Sequence, residues 1–167
     1  MFEIGDYMVY GISGVCLVQD ICASPFDKKD TRTFYSLKPL GSGASSVIYT
    51  PTDNVQVSMR PLMTRAQAEE LIARLPELLP LEVPTEKMRR DIYRQTMQTC
   101  DPGEYVRLIK TVRRRRADML AQHKRLSETD SDFERNAKLS LYHERAIVLD
   151  KPYAEIEQYL LPMMEIA

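Results

Sequence analysis

Basic side chains are concentrated in the middle of this 167-residue chain, and they have the clearest chemical use. Residues 86–125 hold twelve Lys and Arg against five Asp and Glu, although the whole chain has a formal net charge of −1. Residues 126–167 are strongly acidic, with nine acidic groups against four basic ones. Ammonium and guanidinium groups suit phosphate contacts, which give affinity without choosing a base sequence. The block predicts a surface for a polyanion; the alternative is a solvated face neutralised by the acidic part.

Two predicted helices and the segment after them carry this charge. One helix is predicted over residues 86–99, and Asp101 with Pro102 starts the next, which continues to about residue 123. The four consecutive Arg at 113–116 are spaced about 100° apart around a helix, so they cannot share one face. The candidate phosphate contacts are Lys87, Arg89, Arg90, Arg107, Lys110, Arg113, Arg114, Lys124 and Arg125.

Residues for catalysis or metal binding are sparse and lack the spacing such chemistry needs. The three cysteines have no paired spacing, and there are only two histidines. The G-S-G-A segment at 41–44 lacks the Lys of a phosphate-binding loop and is predicted to be a hairpin turn. No nucleophile-elbow or zinc-protease motif occurs. We predict no catalytic residue, metal or cofactor; a small enzyme with an unrecognised site is an alternative.

The composition is that of a globular protein, with 44% hydrophobic and 28% charged residues. No apolar run approaches the roughly 20 residues that a membrane span needs. The acidic first residues do not resemble a signal peptide. These features predict a cytoplasmic protein without a membrane partner.

The elements that position these residues fall into two parts. Five short β-rich segments in the first sixty residues, separated by turns, predict an antiparallel SH3- or Tudor-like barrel, with its last strand over residues 55–59. Helical spacing follows, with an N-terminal capping box at Thr64 and Gln67 and a helix start at Ser131 and Glu134. The chain is therefore predicted to be α+β, with domains at 1–62 and 63–167. A proline-rich junction at 76–84 leaves a monomer and a domain-swapped oligomer both open.

Several short motifs occur in order in the first sixty residues. The first is F-x-I-G-D-x-M-V-Y at residues 2–10, followed by Gly14 and Val15; later ones are Y-x-L-K at 35–38, P-x-D-N at 51–54 and M-R-P at 59–61. These motifs, in this order, resemble the CarD/CdnL family of bacterial transcription regulators. The same segment is similar to the RNA-polymerase-interacting domain of transcription-repair coupling factors. The helical part resembles the family more loosely, through Arg89 and Arg90, D-P-G-E at 101–104 and the four Arg at 113–116.

The resemblance implies that an edge strand of the barrel pairs with a strand of the RNA polymerase β subunit. The implied polymerase-binding residues are Val47, Ile48, Tyr49, Thr50 and Pro51. In such strand addition, backbone groups supply affinity and protruding side chains supply selectivity. The two-residue period puts Val47 and Tyr49 on one face, and Tyr49 stands where many relatives have arginine. The alternative is a strand that only closes the barrel.

The resemblance also implies that the basic helices contact promoter DNA, largely without sequence preference, and modulate open-complex stability. Relatives place a tryptophan near the start of the second helix, where it wedges into the minor groove. This chain has no tryptophan; Lys87 stands at the matching place, and Met88 follows it. Methionine can act as such a wedge or pack in a core, so Met88 joins the candidate DNA-binding residues. The alternative function is a protein-interaction adaptor whose basic helices bind an acidic protein. Target promoters and the sign of regulation stay open.

Overall fold

The computed structural model describes residues 1–41 and 46–164, and it confirms the α+β class. The strands are β1 Tyr7–Tyr10, β2 Gly14–Ala23, β3 Thr33–Pro39, β4 Ile48–Pro51 and β5 Met59–Pro61. The helices that follow are α1 Arg65–Arg74, α2 Glu86–Gln98, α3 Pro102–Ala121, α4 Glu128–Val148 and α5 Tyr153–Leu160. No helix in these residues is both long and apolar enough to cross a bilayer.

The five strands form one antiparallel sheet in the order β4-β3-β2-β1-β5. Because β4 and β5 lie at opposite edges, the sheet is open over the described residues, and the closed barrel that we expected is not confirmed. The predicted strand over 55–59 starts only at Met59, since the Asn54 side chain accepts the backbone N–H groups of Gln56 and Val57 and holds that segment in a turn. Of the predicted hairpin turn at 41–44, positions 42–44 lie outside the described residues.

The sheet and the helices each bury a hydrophobic cluster, and a third cluster joins them. One face of the sheet buries a cluster that includes Met8, Tyr35 and Leu37, whereas a larger cluster lies among the helices. The opposite sheet face carries Val9 and Val15, which pack with Cys100, Leu62 and Ile147 of the helical part. The contact is close at Gly14, where an added Cβ would lie 3.2 Å from the Cβ of Ser140.

Side-chain caps fix where the helices begin. At α1, the Thr64 hydroxyl accepts the N–H of Gln67 and the Gln67 side chain accepts the N–H of Thr64, as the capping-box pattern predicts. The expected start of α4 at Ser131 is one turn too late. Ser127 is the N-cap instead, because its hydroxyl accepts the N–H of Asp130, and the helix begins at Glu128.

Candidate functional site

Strand β4 pairs with β3 on one side only. The Thr52 N–H donates to the Thr33 carbonyl at 2.9 Å, and the same register continues through Tyr35–Thr50 and Leu37–Ile48. Since ladder hydrogen bonds involve every second residue of an antiparallel strand, the N–H groups of Ile48 and Thr50 point towards β3. The N–H and C=O of Tyr49 therefore point away from the sheet, where no described strand pairs with them. We call this outward side of β4 the open edge.

The side chains of β4 alternate as the sequence predicts. Ile48 packs against the sheet core, and Thr50 is buried, with its hydroxyl accepting a 2.9 Å hydrogen bond from the Asn54 amide. Val47 and Tyr49 are exposed. At Pro51, which has no N–H, the carbonyl accepts the Asn54 N–H at 3.1 Å. The strand is thus held from its inner side, whereas its outer side is accessible.

An aromatic side chain that sequence reasoning missed lies beside the open edge. Phe26, in the loop between β2 and β3, is 74% exposed. Its ring meets Tyr49 and Phe34 edge-on, with centroid distances of 5.8 Å and 6.2 Å. The sequence feature that could have identified Phe26 is that it is the one large apolar residue in the polar turn S-P-F-D-K-K-D at 24–30.

At the other edge of the sheet, β5 is covered by charged side chains. Arg60 makes two hydrogen bonds to the Glu144 carboxylate, at 2.6 Å and 3.0 Å, and one to the Cys100 carbonyl at 2.8 Å. Pro61 has no N–H, and its carbonyl accepts from Arg60 at 3.2 Å. The Met63 N–H donates to Glu144, which is fully buried. Burial works to lower the pKa of Arg60, but its hydrogen bonds and attraction to Glu144 outweigh burial and raise that pKa.

A network of charged groups connects the ends of α2, α3 and α4. Glu86 accepts hydrogen bonds from Arg89 and Arg115, which lower the pKa of Glu86 to about 2. Arg115 also bonds the buried Asp130 at 2.9 Å, and Asp130 accepts the Tyr93 hydroxyl at 2.8 Å. Arg89, a candidate DNA contact, is therefore engaged within the protein.

Two other candidate DNA contacts, Lys110 and Arg107, are also held within the molecule, and a third, Arg113, is partly buried. Lys110 is buried, with its ammonium donating to the carbonyls of Leu75 and Leu78, and burial lowers its pKa. Lys110 is therefore not on the surface, where we predicted a DNA contact; instead it holds the segment that follows α1. Arg107 bonds Glu104 at 3.0 Å and the Leu79 carbonyl at 2.9 Å. Arg113 is half-buried.

The remaining candidate cations are accessible. Five of them are exposed and make no ion pair within the described residues; we call them the exposed basic set: Lys87, Arg90, Arg114, Lys124 and Arg125. They occupy the start of α2, the second half of α3 and the connection to α4, which the Glu86–Arg115–Asp130 contacts bring to one end of the helical part. Met88, beside Lys87, is 47% exposed and is not a core residue.

The comparison with known families identifies the domain that contains the sheet. Residues 2–63 match the family model described as the CarD-like/TRCF RID domain. The first part of the chain is therefore a CarD-like RNA-polymerase-interacting domain, which confirms the resemblance for that part, and this is a protein-interaction family rather than a catalytic one. The match contains the whole sheet, both of its edges and Phe26. No curated protein matches the chain.

Proposed function

We propose that this chain is a cytoplasmic transcription regulator that binds the RNA polymerase β subunit through β4 and contacts promoter DNA through its helical part. The observation that carries the proposal is the open edge, which lies inside the segment matched to an RNA-polymerase-interacting domain. Strand addition needs outward backbone groups on an accessible strand, and Tyr49 supplies both a donor and an acceptor. Residues 47–51 are the proposed contact.

The strand is suited to accept a partner because its inner side does not depend on one. Ile48 and Thr50 are already packed, and their N–H groups already pair with β3. A partner strand would therefore gain hydrogen bonds at Tyr49 without breaking any in the sheet. Pro51, as expected for an edge strand, sets the end of the contact.

The exposed basic set is the proposed DNA-contacting surface. Its five cations carry no internal counter-charge in the described residues, so phosphates can bind them without displacing a salt bridge. Binding to polymerase would hold these residues near promoter DNA and raise its effective concentration, so weak phosphate contacts suffice. If they favour melted over closed promoter, they shift that equilibrium towards the open complex. We assign the polymerase contact to residues 1–62 and the DNA contact to residues 63–167.

An adaptor that uses the same cations to bind an acidic protein is the second candidate. The engagement of Arg89, Arg107 and Lys110 within the molecule leaves fewer cations for phosphates than the sequence predicts, which weakens the case for DNA and keeps this alternative open. Titration of promoter DNA at several salt concentrations separates the two, since only the regulator shows binding that weakens steadily as log salt rises.

The polymerase contact is tested with two substitutions at one position. Tyr49→Pro removes the ring and the outward N–H, whereas Tyr49→Ala removes the ring alone. We expect Tyr49→Pro to bind purified RNA polymerase at least tenfold more weakly than Tyr49→Ala, with similar thermal unfolding. Equal affinities of the two folded variants would exclude the open edge as the contact.

A further inference from the structure

Phe26 is the most exposed aromatic side chain in the described residues, and its position is fixed. The Ser24 hydroxyl accepts the N–H groups of Phe26 at 3.3 Å and Asp27 at 3.2 Å. Further along the loop, Arg32 bonds the Asp30 carboxylate through two nitrogens, at 3.0 Å and 2.7 Å. A ring held by an ordered loop loses little conformational entropy on binding. Most of the free energy gained by burying the ring against a partner therefore contributes to affinity.

The ring lies on the face of the sheet that carries the Tyr49 side chain of the open edge. Phe34 on β3 pairs with Pro51, and Tyr49 pairs with Ser36, so the pleat puts Phe34 and Tyr49 on the same face of the sheet. Phe26 lies over that face and contacts both rings. Phe34 is almost fully buried beneath it, whereas 74% of Phe26 itself is exposed. Single exposed apolar residues are ordinary, but this one is continuous with an unpaired strand.

We infer that Phe26 is an anchor that enters an apolar pocket of the RNA polymerase segment paired with β4. The inference rests on the proposed polymerase contact and adds to it the side chain that selects the partner. The partner is an extended polymerase segment whose apolar side chains flank the Phe26 ring on the Tyr49 face. Aromatic residues at the centre of an interface often carry a large share of the binding energy, because they are buried almost entirely by the partner.

The competing role for Phe26 is to shield Phe34 from water, which would affect stability and not binding. The test compares Phe26→Ala with Leu120→Ala, since Leu120 on α3 is 73% exposed and loses a similar apolar group. Binding to purified RNA polymerase is measured below the unfolding temperature of each variant. We expect Phe26→Ala to weaken binding at least tenfold and Leu120→Ala to leave it unchanged.

A second measurement does not depend on stability. A photoreactive benzoylphenylalanine at position 26 should crosslink to RNA polymerase, and the same group at position 120 should not. If the wild-type chain binds polymerase but Phe26→Ala binds equally well, or position 26 gives no crosslink, the anchor is disproved and the open edge stands. If the wild-type chain fails to bind polymerase, the proposed function itself is disproved.

Discussion

The β4 and β5 edges of the sheet face the same physical problem, since each outermost strand has backbone groups that its neighbour cannot pair. At β5 the protein covers these groups itself. Pro61 has no N–H, its carbonyl accepts a hydrogen bond from Arg60, and Glu144 on α4 balances the charge of Arg60. At β4 the Tyr49 backbone has no such cover among the described residues. Because the helices cover one edge and leave the other, the sheet has one direction in which it can be extended.

The basic residues also fall into two groups, one bonded within the protein and one exposed to solvent. Arg89 and Arg115 share Glu86 and help to connect three helices, and Lys110 binds two carbonyls inside the molecule. Arg90 and Arg114 are exposed on the same helices without an ion pair in the part of the chain described. Net charge alone does not separate these two groups, because a paired arginine counts as much as an exposed one.

The largest effect is expected where the β5 edge is covered. Glu144→Gln leaves Arg60 without its counter-charge, and it removes the negative charge that favours the charged form of the fully buried Arg145. Breaking a buried charge pair costs about 3–5 kcal/mol, and we expect the free energy of unfolding to fall by about that amount in urea denaturation. Glu155→Gln, at an exposed acid on α5, is the matched control. A loss below about 1 kcal/mol for Glu144→Gln would show that the charges do not hold this edge.

The second prediction contrasts neighbouring positions of β4. Thr50→Pro removes an N–H that pairs with β3 and leaves a buried carbonyl without its donor, at a cost of about 1–3 kcal/mol. Tyr49→Pro removes the exposed ring and an outward N–H but no hydrogen bond to β3, so it should cost clearly less in thermal and urea unfolding. Equal destabilisation by the two prolines would mean that both sides of β4 are paired within the folded chain.

The third prediction separates exposed from paired cations in DNA binding. Replacing Arg90 and Arg114 together by Ala should reduce the slope of log affinity against log salt by up to about 2, for all DNA sequences alike. The control replaces Arg65 and Arg135, which are also exposed but form ion pairs with Glu69 and Asp132. An equal change in slope for the two double variants would remove the case for a localised DNA surface.

The smallest effect is expected at Met88. Because its side chain is 47% exposed, Met88→Ala should change the free energy of unfolding by less than about 0.5 kcal/mol. Affinity for duplex DNA should also be nearly unchanged. If Met88 acts as a minor-groove wedge, the variant should shorten the lifetime of the open promoter complex in a filter-binding assay. An unaltered lifetime, both here and after charge reversal at Lys87, would exclude the wedge.

Local patterns predicted local structure well. The Thr64–Gln67 capping box, the proline start of α3 and the alternation along β4 each depend on residues close in sequence, and the structure contains all three. Features set by distant residues could not be inferred in this way. Arg60 and Glu144 are 84 positions apart, and the carbonyls that bind Lys110 precede it by more than thirty. Phe26 was missed because a loop residue has no periodicity to mark it.

The most direct test of the open edge is hydrogen–deuterium exchange of the full chain with and without RNA polymerase. In the free protein the Tyr49 amide has no partner in the sheet, so it should exchange rapidly, whereas the Thr50 amide should be protected. On binding, the Tyr49 amide should become strongly protected, and the amides of β5 should not change. Rapid exchange at Tyr49 in the saturated complex, with new protection elsewhere in the chain, would contradict strand addition at β4.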